Sequence, residues 1–202
     1  MALGENQSKA VKPRMVQFYR RMDEALAEAS VASACRRGCN FCCNYLVRAM
    51  PPEVFALAEH VNQLPASHRV KLSERLSDYN ARTASMNEQE HEQTNIPCVF
   101  LEGGECSVYS LRPLACRGHH SMDAGPCERT FVDPSRDELS PKDPYREAVR
   151  FGYPMGLGMM LQERKLGAES IELHAALAEA LAGGTSFKRW RNGKQAFGKG
   201  RG

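Results

Sequence analysis

The stretch Cys35-Arg-Arg-Gly-Cys39-Asn-Phe-Cys42-Cys43 places four thiols within nine residues, and it decides how the rest of the chain is interpreted. Four more cysteines follow later, at Cys98, Cys106, Cys116 and Cys127. A free cysteine packs as a small apolar residue, but four thiols bunched beside two arginines have no packing role to fill. The sequence therefore predicts a metal site.

Disulfide bonds are the other common use of eight cysteines. The first ten residues contain no apolar stretch that could serve as a signal peptide, so we expect the chain to stay in the reducing cytoplasm. Adjacent Cys42 and Cys43 are also awkward partners in a rigid disulfide framework. Thiolate ligands for a metal are therefore the preferred interpretation.

Length and composition indicate one globular domain followed by a basic tail. The 202 residues, of which 42% are apolar, are enough for one domain with a real core, and no apolar run is long enough to cross a bilayer. The net charge is only +3, yet residues 183–202 hold six Lys or Arg and no acid. We expect a cysteine-cluster metal-binding domain over residues 11–182 and a disordered tail over 183–202.

Apolar side chains recur at helical spacing in five segments. The five predicted helices begin near residues 11, 51, 66, 145 and 171. Gly152 and Pro154 should interrupt the fourth of them, and Gly183 should end the last. Whether the first helix continues through Cys39 or gives way to a loop at Gly38 stays open.

Between the third and fourth helices we expect loops around one small β element. The sequence Cys-Val-Phe-Leu-Glu-Gly-Gly-Glu-Cys at 98–106 has two β-prone pieces around a glycine pair, which predicts a hairpin with its two cysteines close together. Residues 87–95 and 121–144 are predicted as loops. No alternation of strands and helices predicts a parallel sheet. The expected fold is mainly α, a small helical domain with a short β-hairpin organised around a cysteine-ligated metal centre.

The cysteines also form a recognisable signature. Cys-Val-Phe-Leu at 98–101, followed by Cys-Ser-Val-Tyr-Ser-Leu-Arg-Pro-Leu-Ala-Cys-Arg at 106–117, resembles the signature of the zinc- or iron-chelating cysteine-cluster family. The group at 35–43 resembles the first cluster of that family. One related branch is similar to the flagellin lysine N-methylases.

The resemblance implies metal chelation rather than a particular reaction. Carried over residue by residue, the ligands that it implies are Cys35, Cys39, Cys42, Cys43, Cys98, Cys106 and Cys116. Cys127 lies beyond the shared pattern, so its role as a ligand stays open.

Both zinc and iron accept thiolate ligands, and the spacing favours an iron–sulfur cluster. Paired C-x-x-C units would favour zinc, and the chain has a single such unit, Cys39-Asn-Phe-Cys42. The spacing from Cys35 to Cys42 resembles the three-cysteine motif of radical S-adenosylmethionine enzymes, including the aromatic residue before the last cysteine. Those enzymes need an α/β barrel that this sequence does not predict, so a redox or radical enzyme is kept as the alternative function.

Residues next to the cysteines are expected to balance charge, to pack beside the thiols or to add ligands. Four arginines could balance the thiolate charge, namely Arg36, Arg37, Arg112 and Arg117. Tyr109 should pack beside the cluster, and Pro113 should fix the turn that presents Cys116. His119 and His120 are close enough in sequence to be ligands, although a solvent-facing loop is the preferred reading for both.

Apolar helix faces account for the remaining candidates. Met155, Met159 and Met160 have helical spacing and are expected in the core rather than at a soft-metal site. His174 lies on an apolar helix face and is expected to be a core or interface histidine. Phe187, Trp190 and Phe197 alternate with basic residues in the tail, but the segment is too short to specify a nucleic-acid site.

Taken together, these features predict a cytoplasmic metal-binding protein. Three roles remain: a module that delivers or senses metal, a redox or radical enzyme, and an interaction protein whose metal is structural. No nucleophile–base pair, phosphate loop or paired-carboxylate motif indicates hydrolase or transferase chemistry. The sequence leaves open whether the protein is an enzyme, and whether it has a protein partner.

Overall fold

The computed structural model describes residues 10–136 and 138–198. Its helices are α1 (Lys12–Ala27), α2 (Pro51–Asn62), α3 (Ala66–Thr83), α4 (Glu88–Glu92), α5 (Leu114–Gly118), α6 (Ala124–Val132), α7 (Pro144–Glu163), α8 (Leu173–Leu181) and α9 (Ser186–Arg191). Its strands are β1 (Arg48–Ala49), β2 (Leu101–Glu102), β3 (Glu105–Cys106) and β4 (Ile171–Glu172). The mainly α fold class is confirmed.

Helix α2 packs against both α1 and α8, and it is buried along almost its whole length. Pro51 and Pro52 occupy its first turn, where backbone N–H groups have no partner within the helix. Glu53 caps this N-terminal end by accepting a hydrogen bond from the Met50 N–H at 2.9 Å. The next helix, α3, follows directly after Pro65 and packs on α8. The first three helices therefore form as their apolar patterns predict.

Helix α1 buries one face, formed by Met15, Tyr19 and Met22, as the 3.6-residue period requires. It ends at Ala27, well before the cysteines, so the loop alternative at Gly38 is the one that forms. Gly38 has a φ of +83°, a left-handed conformation that glycine adopts without steric cost.

Two segments predicted as loops contain helices. Within 87–95, Asn87 caps α4 by accepting from the Glu90 N–H at 2.9 Å, while Glu90 accepts from the Asn87 N–H at 2.8 Å. Within 121–144, Asp123 caps α6 by accepting from the Gly125 N–H at 2.9 Å. Both helices are short enough that their caps, rather than an apolar period, are the signal that identifies them.

The predicted interruption of the fourth helix does not occur. Helix α7 runs from Pro144 to Glu163 with Pro154 inside it. A proline removes one hydrogen bond of the helix, but α7 packs against α5 and α1, and the Tyr153 hydroxyl donates to the Arg21 carbonyl at 2.8 Å. Tertiary contacts of this kind offset the local cost.

The described strands form two separate antiparallel pairs. β2 and β3 make the predicted hairpin around the glycine turn, with Leu101 opposite Cys106. β1 and β4 make a second pair, with Arg48 opposite Glu172, which the sequence did not predict because its strands are only two residues long and far apart in the chain. The second pair fixes the start of α8 beside the start of α2.

The last described segment is folded against the helices, in contrast to the expected disordered tail. Gly183 ends α8 with a φ of +73°, and α9 then begins at Ser186. The rings of Phe187, Trp190 and Phe197 lie 5.0, 5.4 and 5.0 Å from the ring of Phe55 in α2. Burial of these aromatic rings outweighs the repulsion of the basic residues between them. Residues 199–202 of the predicted tail lie outside the described residues.

Three methionines on α7 are more exposed than their spacing predicts. Met155 is 65% exposed and Met159 is 57% exposed, and Met160 is also at the surface. The core contacts of α7 are made instead by Val149, Leu157 and Leu161. In the described parts of the chain, no helix combines the length and the apolar character that a membrane crossing needs.

Candidate metal centre

The two cysteine segments meet through their backbones. The Cys98 N–H donates to the Cys43 carbonyl at 2.8 Å, and the Ile96 N–H donates to the Asn44 carbonyl at 3.1 Å. The first cysteine segment ends in a 3₁₀ turn at Phe41–Asn44, whose Asn44 side chain donates back to the Asn40 carbonyl at 3.0 Å. Groups that are far apart in sequence are therefore held side by side.

The β2–β3 hairpin is fastened to the first cysteine segment as well. The Arg37 guanidinium makes two hydrogen bonds to the Glu105 carboxylate, at 2.7 and 2.9 Å. A Cβ at Gly104, which has a φ of +83°, would lie 3.4 Å from the Asn40 side chain. Glycine is favoured at this turn by its positive φ, which other residues adopt only with strain.

Cys116 is presented by the short helix α5. Pro113 precedes the helix, and the buried Glu53 carboxylate accepts from the Leu114 N–H at 2.7 Å. Arg117 points inward, where it pairs with Asp23 and lies 4.5 Å from the Tyr19 ring centre. The predicted role of Pro113 at this turn agrees with this geometry.

Cys127 comes close to the first cysteine segment on α6. One turn further along that helix, the Phe131 ring lies 5.6 Å from the ring of Phe41. Residues four apart share a helix face, so Cys127 and Phe131 both face the 3₁₀ turn. Cys127 belongs to the same neighbourhood as the seven cysteines that the sequence singled out.

Electrostatics divide the thiols into two groups. We call Cys43, Cys98, Cys106 and Cys116 the inner thiols, and Cys35, Cys39 and Cys127 the outer thiols. Burial raises the pKa of Cys116 well above its usual value, and the other three inner thiols raise it further. Burial likewise raises the pKa of Cys106 to about 11, with smaller contributions from Cys98 and Cys43.

The outer thiols affect one another in the same way. Burial raises the pKa of Cys39, and both Cys35 and Cys127 add to that rise. Cys42 joins the two groups. Its S–H donates a hydrogen bond to Cys43, and this bond lowers the pKa of Cys43. The pKa of Cys42 itself is raised by the same bond, by burial, and by the charges of thiols from both groups. Thiolates crowded together in this way repel each other, and a bound cation relieves that repulsion.

All eight cysteines are free thiols. Over residues 10–136 and 138–198, no three side chains of the His, Cys, Asp or Glu type converge as the ligands of one ion do. The donor set nevertheless fits a metal, since thiols are the preferred ligands of zinc and iron–sulfur centres.

The arginines have different partners from those expected. Arg37 is balanced by Glu105, and Arg117 by Asp23, so neither is reserved for the thiols. Arg36 lowers the pKa of Cys39 slightly, and Arg112 does the same for Cys106. Only two of the four arginines therefore supply charge to the thiols in the predicted manner.

Tyr109 and the two adjacent histidines are turned away from the thiols. Tyr109 is 65% exposed and stacks on the Arg112 guanidinium at 3.8 Å, rather than packing beside the cluster. His120 is buried, and its ring nitrogens are 3.1 Å from the Gly118 carbonyl and 3.1 Å from the Asp143 N–H. Burial and the cations of Lys142 and Arg150 lower the pKa of His119 to about 4.

His174 is the one histidine of the described chain that contacts a cysteine. Its Nε2 lies 3.4 Å from Cys98 Sγ, and its Nδ1 lies 2.8 Å from the Glu172 carboxylate. Burial alone would lower the pKa of His174, but the contacts with Cys98 and Glu172 outweigh it and raise the pKa to about 9. The expectation of a core histidine is correct, but the contact with a thiol 76 residues away was missed because no local pattern signals it.

A cavity of about 280 Å³ lies on the far side of this region, between α3, α4, β4 and α8. Arg48, His91 and Glu172 are among the polar groups in its wall, and Arg48 is paired with Glu88. No cysteine lines it. The thiols and this cavity are therefore separate features. Glu172 lies in the cavity wall and also contacts His174, which in turn contacts Cys98.

Comparison with known proteins agrees with the cysteine geometry. The model of one protein family, CxxCxxCC, with the description "Putative zinc- or iron-chelating domain", matches residues 34–139, which is more than half of the chain. No curated protein and no solved structure matches the chain. The matched range includes all eight thiols that the fold brings together, and the chain belongs to this zinc- or iron-chelating family.

Proposed function

We propose that the protein holds a metal centre through thiolates from both cysteine segments, and that the centre is an iron–sulfur cluster. The observation that carries the proposal is the meeting of the four inner thiols, which come from the 3₁₀ turn, the hairpin and α5. Burial first, and then the charges of the other three inner thiols, raise the pKa of Cys116, and a cation among them would favour its thiolate form. The proposed ligands are Cys35, Cys39, Cys42, Cys43, Cys98, Cys106 and Cys116.

The spacing of Cys35, Cys39 and Cys42 supports iron–sulfur over zinc, because it resembles the three-cysteine motif that binds an iron–sulfur cluster in radical S-adenosylmethionine enzymes. When bound, such a cluster supplies a site for one-electron chemistry. The chain itself contributes the anionic ligands and the arginines that offset their charge.

The test is elemental analysis and a visible spectrum of the full chain purified without oxygen. Thiolate-to-iron charge transfer gives a brown colour, whereas zinc has a filled d shell and stays colourless. We expect iron and acid-labile sulfide, with a colour that air bleaches. Colourless protein with stoichiometric zinc and no iron would refute the iron assignment and keep the ligand set.

Radical chemistry on S-adenosylmethionine receives no support from the fold. Radical enzymes of that class use parallel strands, and the strands seen in 10–136 and 138–198 form only two-residue antiparallel pairs. We therefore expect no cleavage of S-adenosylmethionine by the reduced protein. Cleavage well above the level of a Cys39→Ser variant would reverse this ranking.

Whether the centre serves metal delivery, sensing or structure is decided by how firmly it is held. Reduced thiols and a free-thiol set are suited to the cytoplasm, which we propose as the compartment. A structural centre resists exchange, whereas a delivered metal passes to a competing chelator within minutes. Transfer of the metal to a chromogenic chelator in native protein measures this property directly.

A further inference from the structure

His174 lies at the start of α8, outside the matched range 34–139 and fully buried, with 0% of its surface exposed. Its two ring nitrogens have different neighbours. Nδ1 is 2.8 Å from Glu172 Oε1, and Nε2 is 3.4 Å from Cys98 Sγ. The ring thus connects a carboxylate on β4 with one of the inner thiols.

The carboxylate of Glu172 fixes which ring nitrogen carries the proton. Glu172 also accepts from the backbone N–H groups of His174 at 3.0 Å and Ala175 at 2.6 Å. A carboxylate that accepts from two backbone N–H groups is stabilised in its ionised form and can only accept, so Nδ1 must carry a hydrogen. A metal that binds beside Cys98 would replace the proton on Nε2, and the ring would then present the Nε2 lone pair to that metal.

This arrangement is the usual surrounding of a metal-bound histidine. Such a histidine donates its second ring N–H to a carboxylate, which sets its tautomer and orientation. Metal–sulfur bonds of about 2.3 Å and metal–nitrogen bonds of about 2.0 Å at a tetrahedral angle place the two donor atoms about 3.5 Å apart. The 3.4 Å between Nε2 and Sγ matches that spacing.

The ring is also held rigidly in this orientation. The Tyr79 ring lies 3.9 Å from the His174 ring, and the Tyr79 hydroxyl is 2.8 Å from Nε2 of His91. Pairing of β1 with β4 fixes the position of Glu172 itself. A ligand whose rotamer is set in advance loses little entropy when the metal binds.

We propose that His174 is a nitrogen ligand of the metal centre and shares one metal atom with Cys98, whether that atom is zinc or one iron of a cluster. The proposal rests on the metal centre proposed above and adds a ligand from outside the family range. Glu172 is the residue that positions this ligand.

The test is X-ray absorption at the metal edge of the loaded full chain. We expect one imidazole nitrogen in the wild-type ligand shell, its loss in His174→Gln, and its retention in His91→Gln. His91 is the matched control because it is a buried histidine one layer behind, in contact with Tyr79 and with no cysteine among its partners.

The outcomes separate the two proposals. A wild-type shell of sulfur alone would overturn the histidine ligand and leave the thiolate centre intact; His174 would then be a hydrogen-bond partner of Cys98. A nitrogen that persists in His174→Gln would overturn it too. If the wild-type chain takes up neither iron nor zinc, the thiolate centre itself fails. Should His174→Gln not fold, the wild-type spectrum alone still decides between a mixed and an all-sulfur shell.

Discussion

The cysteine loops (residues 35–44 and 98–132) and the helical frame (α1, α2, α3, α7 and α8) are held together by different forces. The frame consists of helices of 9 to 20 residues that bury their apolar faces against each other. The longest element of the loops is α6, with nine residues. Frame stability therefore comes from apolar burial. The second cysteine loop also buries apolar side chains, among them Val99, Phe100 and Leu114, and the proposed ligation of the thiols would add to the stability of both loops.

The largest expected effect is the response to metal removal. Chelation under reducing conditions should strongly lower hydrogen-exchange protection in the cysteine loops, because their short elements then lose the ligand bonds proposed to hold them. Protection of α2 and of α8 beyond its first turn should persist, because these helices are buried against each other, and the contact of α8 with Cys98 is made by His174 at its start. Exchange measured by mass spectrometry checks this, and simultaneous loss of protection in both regions would show that the two are one cooperative unit.

Serine substitutions test whether the cysteine loops form one centre. Cys39→Ser and Cys116→Ser replace a soft ligand by a hydroxyl of similar size, so any loss reflects ligation rather than a cavity. We expect each to lower metal content and melting temperature by a comparable amount, since the two segments are joined through Cys98 and Cys43. If either variant retains full metal and stability, the segments do not share a centre.

Trp190→Ala should produce the opposite pattern. Trp190 is 4% exposed, packs on Phe55, and donates from its indole to the Gly167 carbonyl at 3.0 Å. Its truncation should cost about 3–5 kcal/mol of unfolding free energy and leave metal content unchanged. Arg191→Ala, one residue further on and exposed, is the control. Loss of metal in the tryptophan variant would mean that the frame and the centre are coupled.

The smallest expected effect concerns acid stability. Burial lowers the pKa of His119 to about 4. Between pH 6.5 and about 4, His119 is therefore protonated in the unfolded chain but stays neutral in the folded chain. Stability is therefore complete above pH 6.5 and falls with pH through that window, by up to about 3 kcal/mol. In the His119→Gln variant, the loss of unfolding free energy between pH 6.5 and about 4 should be smaller. Some loss should remain, because burial also lowers the pKa values of His60 and His91. An unchanged profile would contradict a buried, neutral His119.

The frame was more predictable than the loops for a physical reason. Helices α2 and α3 follow from an apolar period bounded by prolines, which is information local to each segment. α4 and α6 have no such period, and the continuous α7 depends on neighbours that compensate for Pro154. The packing of the last described segment depends on Phe55, which is more than a hundred residues away in sequence.

The candidate site divides along the same line. The thiols could be named from their spacing, and in the fold they form two neighbouring groups joined by Cys42, with Cys127 in the outer group. The contact of His174 with Cys98 could not be found this way, because the two residues are 76 positions apart in the sequence. A buried histidine that follows a glutamate by two residues is a weak signal, and its meaning comes only from the tertiary structure.

The position of α2 and α3 between the two cysteine segments has a consequence for the order of folding. In an unfolded chain, the 54 residues between Cys43 and Cys98 make their encounter entropically costly. Once α2 and α3 have each packed on α8, the two ends of this insert lie side by side, and the Cys98 N–H can reach the Cys43 carbonyl. The helices thereby raise the effective concentration of the thiols of one cysteine loop around those of the other. A change in the helical insert far from any thiol would therefore alter metal affinity by changing this effective concentration alone.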